Sequence, residues 1–385
     1  MIDDIENTTY AGLAELKIKA IAASDKYEGH YALYAGKWLF VVDIAKKTIT
    51  KRVNLPNIRE KDSELGEGRV EGKELEIAIV FRHPYICITE RYGLHAALIN
   101  LDSGTVRELE REDYHCDVSS YSADFLEREG RVLLICQSQW NRLDIYDAES
   151  GENLSEREVY WRKSSEKKED GSTLYEYKNY LNFFHSRLHI SPDGKHFLSN
   201  GWVWHPQDSI CLFETETFLS DFEPSAVWLE GYRSSGYNWD RPCTFIDNNL
   251  FVVALDDERS AGELDQEELE GYEYRQLAFY RVDGDRIETR YGSTLMNPCE
   301  AVTCSAFTPQ EYGEVKGRLY YHSAKARLVA ITANGAFAIR LTGEITACIP
   351  DVFTGPKRLG WGYSPEHDVF YTWQEGAGIV EKRFE

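Results

Sequence analysis

The chain has 385 residues, a formal net charge of −22, and 13% aromatic residues, including 24 Tyr and 9 Trp. A surface this acidic repels phosphate backbones and anionic lipid headgroups, which argues against nucleic-acid and membrane partners. The aromatic content is too high for a disordered chain and suits strands. All-β folds often run long as one domain, so 1–385 is read as a single unit.

The first ten residues, MIDDIENTTY, lack a basic stretch followed by an apolar one and do not read as a signal peptide. No apolar run approaches the roughly 18 residues of a membrane span. The eight cysteines are scattered and form no C-x-x-C pair. Cys87, Cys136, Cys211 and Cys348 sit in apolar strand-like runs, where cysteine behaves as a small hydrophobe. The expectation is a cytoplasmic protein with reduced thiols.

In chain order, one shape recurs. "KWLFVVDIAKK", "LHAALINLDSG", "NRLDIYDAESG", "DSICLFETETF", "QLAFYRVDGD", "AFAIRLTGE" and "AGIVEKRFE" are each a short apolar strand, mostly closing in turn residues. Asp, Asn and Gly supply the left-handed backbone positions that tight hairpins need. Two further strands precede each copy, as in "LHISPDGK" and "HFLSNGW". A polar strand of period two follows most copies, as in "TVRELERE" (105–112) and "RIETRYG" (286–292). This predicts seven four-stranded antiparallel units, at about 16–57, 74–112, 118–160, 183–230, 242–292, 300–353 and 356–385. The last unit lacks a fourth strand, and 6–15 (ENTTYAGLAE) is the expected donor that closes the ring. The fold class is therefore an all-β, seven-bladed β-propeller, in which radial stacking buries both faces of each sheet.

The sequence resembles the WD40-like and quinoprotein-like seven-bladed propellers. The resemblance rests on "SPDGK" (191–195), its weaker versions "SPEHD" (364–368) and "LEREG" (126–130), and the closures Asp147–Gly151 and Asp102–Gly104. It spans nearly the whole chain and implies architecture, because one propeller fold hosts many activities. No Gly-His opener and no Trp-Asp closer recurs, so the side-chain hydrogen-bond network of true WD40 repeats is expected to be missing.

Long connections need a reason where tight turns do not. They fall at 58–74, 162–182, 231–242, 256–274 and 308–317. Nearly all join successive blades or the second strand to the third, and both kinds emerge on one face of a propeller. That face is expected to carry the binding function. Within it, "ELDQEELEGYEY" (263–274) reads as a short acidic helix.

His185, His189, His196 and His205 lie close in sequence. His185 and His189 fall on one strand, where four residues span roughly 13 Å, too far to share one zinc ion. There is no nucleophile elbow, phosphate loop or sialidase Asp-box. No catalytic residue, metal ligand or cofactor is assigned. The candidate partner-binding residues are Trp161, Trp202, Trp204, His205, Tyr232, Arg233, Tyr237, Trp239 and Arg241, because exposed Trp, Tyr and Arg form interface hot spots. The expected function is a non-catalytic binding or scaffold module for a protein or peptide. The alternative is a propeller-type hydrolase or lactonase with a small ligand or divalent ion at the central pore. A third reading is a pure scaffold within a larger bacterial complex.

Overall fold

A computed structural model describes residues 5–62, 71–168, 171–204, 207–220, 226–229, 239–255, 277–288, 294–299, 315–332, 334–350 and 360–385. Seven sheets stand in a ring, in chain order. Blade one comprises Ala20–Ala23, His30–Ala35, Trp38–Asp43 and Thr48–Asn54. Blade two comprises Ile77–Arg82, Tyr85–Glu90, His95–Asn100 and Val106–Glu110. Blade three holds Ala123–Arg128, Arg131–Gln139 and Arg142–Asp147. Blade four holds Phe184–Ile190, His196–Val203, Gln207–Glu214 and Val227–Leu229. Blade five holds Cys243–Phe245, Leu250–Ala254 and Leu277–Arg281, and blade six Val315–His322, Arg327–Thr332, Gly335–Arg340 and Ile345–Pro350. Blade seven holds Gly362–Ser364, Val369–Gln374 and Gly378–Lys382.

No single core sits at the centre. Instead, each of the seven junctions between neighbouring blades has its own apolar cluster. The middle strands are buried on both faces: Tyr85–Glu90 and Arg327–Thr332 are buried at every position. This is why they read as continuous apolar runs, while the outer strands Val106–Glu110 and Ile345–Pro350 alternate.

Two expectations need correction. The segment 6–15 does not donate a strand; Ala11–Glu15 is a 3₁₀ helix. Tyr10, Leu13 and Leu16 recur every three residues, the period at which 3₁₀ side chains stack on one side. All three pack into the cluster between blades one and seven, beside Tyr371 and Trp373. Contacts between the blades also tie this junction. Tyr31 donates to Glu381, Arg383 Nη2 donates to Glu28 at 2.5 Å, and His367 Nε2 lies 3.1 Å from the Ser24 carbonyl. Second, the polar strand after blade five does not complete that blade. Arg286–Glu288 pairs with Thr294–Met296, which runs parallel to Val227–Leu229 and so extends the sheet of blade four.

The SPDGK turn forms as its residues dictate. Ser191 Oγ donates to Asp193 Oδ1 at 2.9 Å, and Gly194 N donates to the Ser191 carbonyl at 2.9 Å. Gly194 has φ +67°, and a Cβ there would lie 2.5 Å from the Glu127 carbonyl of blade three. Glycine therefore serves both the turn and the approach of neighbouring blades.

Candidate functional site

The connections between blades three and four gather aromatic side chains on one face. Trp202, at the end of the second strand of blade four, is 3% exposed. Its ring stacks on Phe184 at 3.7 Å and on Trp239 at 5.1 Å, and its Nε1 donates to Ser119 Oγ at 2.8 Å. Trp204 lies just past the same strand and is 43% exposed. It meets Trp202, Phe184 and His115 edge-to-face, with centroids 5.6, 5.3 and 5.5 Å away. Edge-to-face and offset pairs at these distances suit the quadrupoles of aromatic rings.

The cluster continues outward. Phe184 packs on Trp140 at 4.3 Å and Tyr114 at 5.8 Å. Trp140 leads to Tyr180 at 6.1 Å, Tyr180 to Trp161 at 6.3 Å, and Trp161 stacks on Tyr175 at 4.5 Å. Trp161 and Tyr175 belong to an antiparallel hairpin, Tyr160–Lys167 with Thr173–Lys178, which rises from the connection between blades three and four. A shallow cleft opens at the foot of the cluster, lined by Glu112, Tyr114, His115, Trp140 and Phe184. Burial, reinforced by Asp113, pushes the Glu112 carboxyl upward. His115 takes φ +53°, a backbone state uncommon for histidine, and this turns its ring into the aromatic group.

Below the rings lies a polar tier that holds the loops. Arg111 is buried; it donates to Gln137 Oε1 at 2.7 Å and to the carbonyls of Gly93, Cys116 and Ser119 at 2.8–2.9 Å. Asp240 accepts from Arg91 at 2.8 Å, Ser120 at 2.7 Å and Ser186 at 2.7 Å, joining blades two, three and four. Burial alone would raise the Asp240 carboxyl, but Arg187 and Arg91 outweigh it and hold it well below the usual range.

Of the residues singled out from sequence, the structure brings Trp161, Trp202, Trp204 and Trp239 into one run of ring contacts. Among the described members of that set, Trp161 and Trp204 are the exposed ones, each about half open to solvent. Trp202 is interior, so it supports the surface rather than touching a partner. Arg241 is likewise corrected. It is 1% exposed and donates to Asp208 Oδ2 at 2.8 Å and to the Ala254 carbonyl at 3.2 Å, clamping blade four to blade five. His205, Tyr232, Arg233 and Tyr237 lie outside the described residues, as does the acidic segment 263–274. Sequence reasoning missed Tyr114, His115, Trp140, Tyr175, Tyr177 and Tyr180. Their only linear signal is an aromatic residue in a connection that leads to this face.

Burial lowers His185 and His189 to about 3, and His185 Nδ1 lies 2.8 Å from Ser199 Oγ. Among the described residues, no group of three or more His, Cys, Asp or Glu is placed to hold a metal ion. A cavity of 190 Å³ lies among the inner strands of blades one, two, three and seven, lined by Asp25, Arg82, Asp124, Glu366 and Tyr371 among others. Burial pushes the Asp124 carboxyl up to about 6.

With this geometry the chain can be compared with known proteins. No protein-family model matches it, and no curated protein matches it by sequence. Solved structures do match. The WD40 repeats of RRP9 are 8% identical, with a TM-score of 0.52 over 96% of this chain and 95% of that one. The fold is a seven-bladed β-propeller, similar in architecture to that WD40 domain. The Dos1 propeller (10% identity, 95% and 77% coverage) and the Neurospora crassa Pan2 WD40 domain (8%, 98% and 90%) each give a TM-score of 0.49. At such identities the likeness concerns the fold alone.

Proposed function

We propose that this propeller is a cytoplasmic, non-catalytic binding module that holds a protein or peptide on its loop-decorated face. One observation carries the reading. Among the described residues, the exposed large apolar side chains are Tyr27, Val106, Tyr114, Trp161, Tyr175, Tyr177, Trp204 and Ile287. Tyr114, Trp161, Tyr175, Tyr177 and Trp204, most of that set, belong to the aromatic cluster or its hairpin. Rigid Trp and Tyr rings backed by a packed tier supply contact area at low ordering cost. The net charge of −22 favours a protein or peptide over nucleic acid or a membrane.

The test is affinity capture from native cells, comparing the intact protein with Tyr114→Ala/Trp204→Ala and Trp161→Ala/Tyr177→Ala. Loss of a specific co-purifying protein with either pair supports the reading. Identical recovery with both pairs sinks it.

A second reading, a propeller hydrolase or lactonase with a pore ligand, draws support from the 190 Å³ cavity and its Asp124 carboxyl. Elemental analysis of the purified protein, with a hydrolase and lactone substrate screen repeated on Asp124→Asn, tests it. Turnover abolished by that substitution would favour the enzyme.

A further inference from the structure

The hairpin Tyr160–Lys167/Thr173–Lys178 pairs with no other strand among the described residues. A two-stranded ribbon alone is marginal in water and gains from a third element laid on it. Its two faces differ. On one, Arg162 Nη2 reaches Glu176 at 3.4 Å and Ser164 donates to the same carboxylate at 2.5 Å, so the polar groups satisfy each other. On the other, the register sets Trp161 opposite Tyr177 and Lys163 opposite Tyr175. Those three rings are 54%, 72% and 40% exposed, and Tyr180 beside Trp161 covers them only in part.

The open face also carries positive charge. Lys178 pairs with Glu158 at 3.2 Å, but Lys163, Lys167 and Lys168 make no ion pair among the described residues. Lys163 and Lys167 lie opposite Tyr175 and Thr173, on the face of the rings, and Lys168 is next in the chain, on a protein whose net charge is −22. An extended peptide presents alternate side chains to one side, so apolar and acidic positions can meet rings and ammonium groups together.

We propose that this face of the hairpin docks an extended peptide segment of a partner, rich in Asp or Glu interspersed with apolar residues. The apolar side chains pack on Trp161, Tyr175 and Tyr177, and the carboxylates pair with Lys163, Lys167 and Lys168. The proposal rests on the reading that the loop-decorated face binds proteins or peptides, and it names the chemistry of the partner. Opposite charge on an otherwise repelling body would also steer the segment to this arm.

The experiment is selection of a random short-peptide library displayed on phage against the intact protein. The enriched peptides are then synthesised, labelled and titrated by fluorescence anisotropy. The variants are Lys163→Glu/Lys167→Glu/Lys168→Glu, Trp161→Ala/Tyr177→Ala and Tyr114→Ala/Trp204→Ala, with circular dichroism confirming that each is folded. Enrichment of Asp and Glu is expected. Affinity should fall at least about tenfold in the lysine variant and in the hairpin-ring variant, and should weaken as salt rises to about 300 mM. Neutral or proline-rich winners, no enrichment, or full binding by the lysine variant overturns the proposal. So does sedimentation showing that the hairpin rings hold two copies of this chain together. Loss confined to Tyr114→Ala/Trp204→Ala sinks the hairpin proposal and leaves the broader reading intact. Peptides unaffected by all three variants sink both.

Discussion

The two ends of blade four are built on opposite principles. At one end, Ser191–Lys195 closes a tight turn on itself, and its glycine lies against the Glu127 carbonyl of blade three. At the other end, the same strands stop at Trp204, which leaves a large apolar ring in solvent. The turn end satisfies its own polar groups and presents little to a partner. The loop end carries a buried tier that bears the structural load and a rim whose rings the fold does not need. The contrast supports the proposed recognition surface better than the histidine-rich sequence of this blade does.

Four substitutions would break or sharpen that contrast. The largest effect is expected for Arg241→Ala, which strands Asp208 in a buried site. Removing one partner of such a pair costs about 3–5 kcal/mol, read from the urea midpoint. A smaller loss would mean that the tier beneath the rim bears less load than its burial suggests.

Gly194→Ala comes next. It forces a Cβ into a left-handed position that already touches a neighbouring carbonyl, and should cost about 1–3 kcal/mol in the same assay. An unchanged midpoint would show that the turn end is slack.

The third, Asp124→Asn, probes the cavity among the inner strands through pH. Burial raises this carboxyl from 3.8 to about 6. Between those values the folded chain keeps a proton that the unfolded chain has lost, so stability falls as pH rises through that window and stays lower above it. The asparagine variant should remove this dependence, gaining midpoint at neutral pH and not in acid. Parallel curves for the two proteins would rule out Asp124 as the source.

Trp204→Ala should change stability least, by about 1 kcal/mol, because its half-exposed ring makes edge-to-face contacts at the rim, while weakening partner binding. A loss of about 2 kcal/mol or more would place Trp204 in the structural tier and erase the distinction between tier and rim.

Much of the fold was legible because propeller strands announce themselves locally. Middle strands such as Tyr85–Glu90 are apolar throughout, outer strands alternate, and Asp-Gly turns punctuate them. Ring closure was misread because 6–15 lacks a strand partner in sequence, whereas its period of three is a local signal that strand counting overlooked. The parallel pairing of Thr294–Met296 with blade four was illegible, since such pairing joins segments far apart in the chain.

The candidate site divides in the same way. The expectation that long connections favour one face follows from which strands they join. Which rings are exposed does not. Trp202 and Trp204 are the same residue type two positions apart, and only the arrival of Phe184, Trp239 and Ser119 from distant segments buries the first.

The sequence alone therefore determined the seven-bladed class and the turns, because period and turn chemistry are local properties. Tertiary structure decided which Trp and Arg residues bear load, how the ring closes, and that an open aromatic face rises between blades three and four. Those depend on the neighbours that folding supplies, and burial and charge pairing have no linear signature.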